Sequence, residues 1–488
     1  MFRFQLRLAT RPVAALTVGG AVALMGAPAG SAVLAAASSL PAPVPAVSDY
    51  QLLTAATTPP SESACFAIGR RCFTPLAMQH SYNVTPLLNA GNQGQGVTIA
   101  IIDSFGNPNM ASDLANFDTQ MGLPHMCGEP GAACGAGIPT FQHVYWNGKT
   151  QVKSPPPGSN GTGLQNRNGW VVETALDVEW AHAMAPLANI LNVTTNPAET
   201  QGVQGFPTMM NAEQFIVDNH QATVITQSFG AVEEGFGSTQ SLLNLRHAFI
   251  SAAANGVTVL ASSGDGGSAN SPKTPVKNPS PFPFPTVNWP ASDPLVTSVG
   301  GTYLCTDPTT GLGVDTTDPP VNCQLGANPT AAREVGWIDS GGGFSHVFAT
   351  PAYQGSLPGG STAIGAMRGV PDVAFQASSR TGPLVYATGG SAGGWFIVGG
   401  TSCSSPQFAG LVAIADQMAG GHGLGKINPT LYRLASGPNY GTYFYDVTTG
   451  NNQADPSITG YKATKGWDPV TGLGTPNAAA LVPALAAG

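Results

Sequence analysis

The apolar residues of this chain fall into short unbroken blocks. Residues 97–103 read Val-Thr-Ile-Ala-Ile-Ile-Asp, an apolar run that ends in an acid, with Gly106 just beyond. Such a run predicts a strand covered on both faces. Blocks of the same kind lie at 188–193, 222–226, 257–262 and 295–299. Between them the spacing turns helical, over 170–184, 209–219 and 241–254. Strands and helices in alternation predict an α/β fold, a mostly parallel central sheet with helices on both faces. In such sheets, sites gather at the carboxyl ends of the strands. Further along, the apolar run 408–418 predicts a buried helix, and Gly400-Thr401-Ser402-Cys403-Ser404-Ser405-Pro406 stands directly before it.

The first 37 residues carry Arg3, Arg7 and Arg11, then a small apolar stretch from Pro12 to Pro28, then Ala35-Ala36-Ala37. This order predicts a secretion signal over 1–37. Residues 38–75 are rich in Ala, Pro and Ser and predict a linker or short pro-segment. Regular structure is expected from about Tyr82 onward. No later stretch approaches 18 uninterrupted apolar residues, so no membrane span is expected.

Composition changes the picture in two ways. Only 9% of the 488 residues are charged, with 26 acids against 18 Lys and Arg, and a net charge of −8. No basic stripe exists for nucleic acid. Few salt bridges would be lost if every carboxylate became neutral, so the fold could persist in acid. An ordinary secreted protein rich in Gly, Ser and Thr is the alternative with equal claim. Seven cysteines fit an oxidising compartment. The simplest pairing is local, Cys65 with Cys72, Cys127 with Cys134 and Cys305 with Cys323, although other pairings are open. Cys403 is left over, either a small buried side chain at a helix start or a thiol catalyst.

Three segments hold candidate chemistry. Ser402 would stand at a helix N-terminus, where unpaired N–H groups and the helix dipole favour negative charge. Glu173 and Asp177 are four apart on a predicted helix, hence on one face. An exposed acidic face is the usual meaning of such a pair. Here the neighbours are Val171, Val172, Ala175, Leu176, Val178 and Trp180, which argues for burial and a raised pKa. Asp265, in Ser262-Ser263-Gly264-Asp265-Gly266, follows a predicted buried strand. Alone it reads as a turn aspartate. None of the eight histidines opens a helix in a His-Gly-Thr context, and His182 lies about 140° round the helix from Asp177, so it reads as structural.

Together the three segments resemble the sedolisins, serine-carboxyl peptidases with a subtilisin-like fold. Their Glu-x-x-x-Asp helix matches Glu173 and Asp177, their Ser-Gly-Asp loop matches Asp265, and their Gly-Thr-Ser segment matches Ser402. The resemblance runs from about Phe73 to the C-terminus and implies a catalytic domain over 76–488. It implies that Ser402 attacks the scissile carbonyl, Glu173 takes the serine proton and Asp177 orients Glu173. A protonated Asp265 would donate to the oxyanion. Carboxylates can serve as bases in acid where an imidazole is already protonated. Gly341-Gly342-Gly343-Phe344-Ser345 resembles a substrate-lining segment, and Arg368-Gly-Val-Pro-Asp-Val373 is a further match. Ser228-Phe229-Gly230 replaces the frequent Ser-Trp-Gly, and Asp103 stands where some members use Glu, so the supporting hydrogen bonds are expected to differ.

Asp446-Val447 and Thr464-Lys-Gly466-Trp-Asp468 supply hard oxygen donors. On spacing alone, Asp-rich turns without metal are the commoner meaning. The resemblance implies a structural Ca²⁺ held by the side chains of Asp446 and Asp468 and the carbonyls of Val447, Thr464 and Gly466. The whole reading is a secreted, monomeric, acid-active endopeptidase for protein or peptide substrates. A tripeptide-releasing exopeptidase and a catalytically silent peptide-binding homologue are its alternatives, and a neutral hydrolase using Cys403 is a third.

Overall fold

The computed structural model describes residues 44–45, 49–155, 164–195, 205–270, 281–315, 323 and 333–488. The expected signal segment 1–37 lies outside them. Each expected apolar block is a strand: Thr98–Ser104, Asn189–Thr195, Val224–Gln227, Thr258–Ser262 and Thr297–Leu304. They pair in parallel with two others, in the spatial order Phe141–Trp146, Asn189–Thr195, Thr98–Ser104, Val224–Gln227, Thr258–Ser262, Thr297–Leu304 and Val373–Gln376. Antiparallel Gln151–Val152 and Glu334–Gly336 extend the sheet.

The alternation of side chains divides the core between the two faces of the sheet. Ile99, Ile101, Ile190, Val224 and Leu260 point to one side, against the helices Leu164–Met184 and Thr401–Met418. Ala100, Ile102, Leu191, Val193 and Ile225 point to the other, against Gly205–Asp218 and His247–Ala254. The fold is α/β with helices on both faces of a mostly parallel sheet. The expected helix over 241–254 is two, Thr239–Leu243 and His247–Ala254.

The chain folds earlier than its composition suggests. The strand Asp49–Thr54 pairs antiparallel with Gly394–Gly399, and the helices Glu62–Ala67 and Pro75–Ser81 follow. Arg71 reaches Glu62 at 2.6 Å and Asp315 at 2.7 Å, and Phe73 is buried. Residues 49–75 are thus folded onto the body, and regular structure begins before the expected start near Tyr82. A few polar anchors, two of them charged, and one buried ring suffice where the local composition is bland. The disulfides are the local ones, Cys65–Cys72, Cys127–Cys134 and Cys305–Cys323, and Cys403 is a buried free thiol.

Candidate active site

The helix Leu164–Met184 carries Glu173 and Asp177. From Gly169 through Ala185 every residue is buried, so this helix has no solvated face. That is why its apolar residues show no one-sided pattern. The helix Thr401–Met418 lies directly against it. A Cβ added at Gly410 would stand 2.5 Å from the Cβ of Met184, so glycine is what lets the two helices approach this closely. Ser402 is in the first turn of the second helix, with Gly400 as its N-cap residue. Pro406 has no N–H to give the carbonyl four residues back, which is that of Ser402.

Ser402, Glu173 and Asp177 are all fully buried. Ser402 Oγ and both oxygens of Glu173 have no hydrogen bond of good geometry. The Ser402 hydroxyl is still near enough to favour the charged form of Glu173, and no other main influence on Glu173 does so. Burial first, then the charges of Asp177, Asp103 and Asp265, push Glu173 well above the ordinary carboxyl range. Burial and Asp103 do the same to Asp177, whose Oδ1 accepts from Ser228 Oγ at 2.7 Å. Asp103, at the carboxyl end of Thr98–Ser104, is pushed up to about 7 by burial, and its Oδ2 accepts from Asn192 Nδ2 at 2.6 Å. No cation is among the main groups acting on these three acids.

Asp265 follows the strand Thr258–Ser262. Its Oδ1 accepts from the N–H and hydroxyl of Thr401 at 2.7 and 2.9 Å, which fixes it beside the serine turn. Thr401 Oγ1 in turn accepts from the N–H of Gly264 at 2.9 Å. Gly264 adopts φ +107°, and its carbonyl accepts from Gly341 N–H at 2.7 Å. The four expected side chains therefore come from three distant segments and converge on the carboxyl end of the sheet. Cys403 is buried beside them. Burial first, then Glu173, Asp265 and Asp177, push its thiol far above its ordinary value, so it is no thiolate. His182 is buried at the helix end with Nε2 3.0 Å from the carbonyl of Pro124, in a structural setting.

The strand Phe229–Val232 leads away from Ser228. One of its edges pairs antiparallel with Val44–Pro45, and Asn288–Trp289 pairs with it as well. Its continuation, Glu233, accepts from Ser345 Oγ and His346 N–H, both at 2.7 Å, tying down the strand that Gly341–Gly343 leads into. Arg368 is buried away from these acids, paired with Asp372.

Sequence reasoning passed over Asn192 and Glu179. Glu179 is buried on the same helix, accepts from Tyr386 N–H at 3.0 Å and is pushed well above its ordinary value by burial. A third acid, at i+6 from Glu173 in an apolar helix, was the available signal.

The Asp446 and Asp468 carboxylates converge on one loop. Asp446 accepts from Gly466 N–H at 3.1 Å, and Asp468 Oδ2 accepts from Thr464 N–H at 2.9 Å. Burial raises both acids, Asp468 to about 7. Among the described residues, no hydrogen bond donates to the carbonyls of Val447, Thr464 or Gly466. One half-buried and one fully buried acid and three idle carbonyls fit a hard divalent cation.

No protein-family model matches the chain. It is similar to kumamolisin of Bacillus sp. (strain MN-32), 32% identical over 425 residues, 85% of this chain and 63% of that protein. Tripeptidyl-peptidase 1 of Homo sapiens is 31% identical over 342 residues, 66% of this chain and 53% of that protein. The chain thus spans less than two thirds of each of these curated relatives. Among solved structures, Pseudomonas sedolisin, a serine-carboxyl proteinase complexed with two molecules of pseudo-iodotyrostatin, superimposes with a TM-score of 0.62 at 25% identity. That match covers 85% of this chain and 97% of that one.

Proposed function

Because the chain belongs to the sedolisin family and shares its α/β subtilisin-like fold, we propose that it is a serine-carboxyl peptidase, a secreted acid-active endopeptidase. The convergence of buried Ser402, Glu173 and Asp177 with half-buried Asp265 in one cluster carries this reading. Ser402 attacks the scissile carbonyl and Glu173 takes its proton. Asp177, held by Ser228, orients Glu173. Asp265, tied to Thr401, donates its acid proton to the oxyanion. Three acids without a cation cannot all ionise at moderate cost. The three therefore share protons with at most one negative charge among them, acid solution supplies the protons this needs, and Glu173 takes the serine proton in the state in which that charge is its own. The edge of Phe229–Val232 that takes Val44–Pro45 would take an extended substrate backbone in the same way. Val44–Pro45 would then be the part of a short pro-segment that lies along that edge.

Calcium would be held by Asp446 and Asp468 and the carbonyls of Val447, Thr464 and Gly466. When bound it neutralises the two acids, one half-buried and one buried, and locks the loop, a structural contribution. Three disulfides support an oxidising destination, and no described helix is long and apolar enough to cross a membrane. A tripeptide-releasing exopeptidase is the second reading, favoured by the similarity to tripeptidyl-peptidase 1.

The test is a pH–rate profile on a mixed peptide library with product masses. Internal cleavage with an optimum below pH 6 supports the first reading, and successive loss of tripeptides supports the second. No cleavage between pH 2 and 6 by folded, processed protein overturns both.

A further inference from the structure

A second group of buried titratable side chains gathers beyond the C-terminal end of the acid helix. Its anchor there, His182, is nine residues past Glu173, about 13 Å along the helix axis. Asp118 comes from the helix Met110–Met121 and is fully buried. Neither of its carboxylate oxygens has a hydrogen bond of good geometry, and Oδ2 lies 3.3 Å from His182 Nε2. Glu129 comes from the loop that the Cys127–Cys134 disulfide braces, and its side chain is fully buried. Glu129 Oε2 lies 2.5 Å from His125 Nδ1, and Oε1 accepts from Met126 N–H. One ligand atom each from Asp118, His125 and Glu129 fall within 4.8 Å of one another.

This arrangement is costly as it stands. A buried carboxylate whose nearest donor is His182 Nε2 at 3.3 Å faces a second carboxylate, and imidazoles are the cationic partners within reach. One imidazole and two carboxylates are a donor set suited to zinc and its neighbours, in contrast to the all-oxygen calcium loop. The approach is open, because the His125 side chain is 46% exposed. Outer contacts are also in place. Thr119 Oγ1 lies 3.3 Å from His125 Nε2, which would orient the ring with Nδ1 inward, and His182 backs Asp118.

We propose that Asp118, His125 and Glu129 form a binding site for a divalent transition-metal ion of the zinc type. The ion takes the place of the proton between His125 and Glu129, and that contact opens to about 3.4 Å, the spacing of two ligands on a tetrahedral centre. It joins the disulfide loop to the helix Met110–Met121 and, through His182, to the end of the helix that carries Glu173. A solvent molecule completes the coordination on the exposed side.

The test uses the chelator-stripped full chain carrying Ser402→Ala, to prevent self-digestion, at pH 7 in saturating calcium. Zinc chloride is added, and bound metal and melting temperature are measured. One zinc per chain with a raised melting temperature is expected. His125→Asn and Glu129→Gln should each weaken binding at least tenfold. His125 is half exposed, so its variant keeps the test valid if a buried-site variant fails to fold. Absence of micromolar zinc binding, displacement of the zinc by calcium, or equal binding by wild type and His125→Asn would each overturn the proposal.

Discussion

Two sets of buried carboxylates in this protein share the same absence of solvent and differ in everything else. Asp372 is paired with Arg368, whose guanidinium gives it hydrogen bonds at 2.8 and 3.1 Å. The remaining donors of Arg368 reach Tyr353 Oη at 2.7 Å and the carbonyls of Ser292 and Val296 at 3.0 and 3.1 Å. Burial opposes the charge on Arg368, but Asp372 outweighs it and holds the guanidinium firmly protonated. Asp103, Glu173 and Asp177 have no such partner. Their hydrogen bonds are few and protons must replace the missing cation. A satisfied pair fixes structure, whereas an unsatisfied set stores reactivity. The second arrangement survives because the first and the surrounding apolar core stabilise the fold around it.

The sharpest way to break this comparison is at the reactive set. Ser402→Ala should lower peptidase turnover by roughly a million-fold, the scale seen when a serine nucleophile is removed, with an unchanged melting temperature. Activity retained at acid pH would refute the nucleophile assignment. At the satisfied pair the effect should fall on stability. Arg368→Met leaves Asp372 buried without its cation and should cost about 3–5 kcal/mol in denaturant unfolding. A loss below about 1 kcal/mol would show that the pair contributes little.

The third contrast is in pH. Asp103, Glu173 and Asp177 have folded pKa values above their unfolded ones. Their contribution to stability is fully present below about pH 4 and is lost as pH rises through their folded values, about 7 for Asp103 and well above the ordinary carboxyl range for the other two. The melting temperature in excess calcium should therefore fall between pH 5 and pH 8, and Asp103→Asn should flatten the fall. An unchanged slope in that variant would remove Asp103 from the proton-sharing set. A smaller effect is expected at the helix contact. Gly410→Ala pushes a methyl toward Met184 and should cost about 1–3 kcal/mol. The smallest belongs to Cys403. Its thiol is neutral and buried, so Cys403→Ala should leave turnover within about twofold, and a thiol-blocking reagent should not inhibit the wild type.

Much of this was legible in the chain itself. Five sheet strands announced themselves as unbroken apolar blocks, because a strand covered on both faces has no polar side to show. Phe141–Trp146 escaped notice because it carries Gln142, His143 and Tyr145 near the edge of the sheet, and its pattern is mixed. The early start of regular structure escaped notice because Arg71, Asp315 and Phe73 hold residues 49–75 through distant contacts that local composition cannot reveal. The Arg368–Asp372 pair was visible as a motif, but its burial against Tyr353 and the carbonyls of Ser292 and Val296 was not.

By itself the sequence determined the strand and helix types and the chemical identity of the candidate acids and the nucleophile, and it made the local disulfide pairs the simplest choice. Each of these follows from side chains near one another in the chain, the widest being Cys305 and Cys323, 18 residues apart. Only the tertiary structure decided which acids meet. Glu173, Asp103 and Asp265 are far apart along the chain and close in space because the parallel strands bring their carboxyl ends to one edge. Burial and mutual charge, which govern where the protons sit, are properties of that shared enclosure.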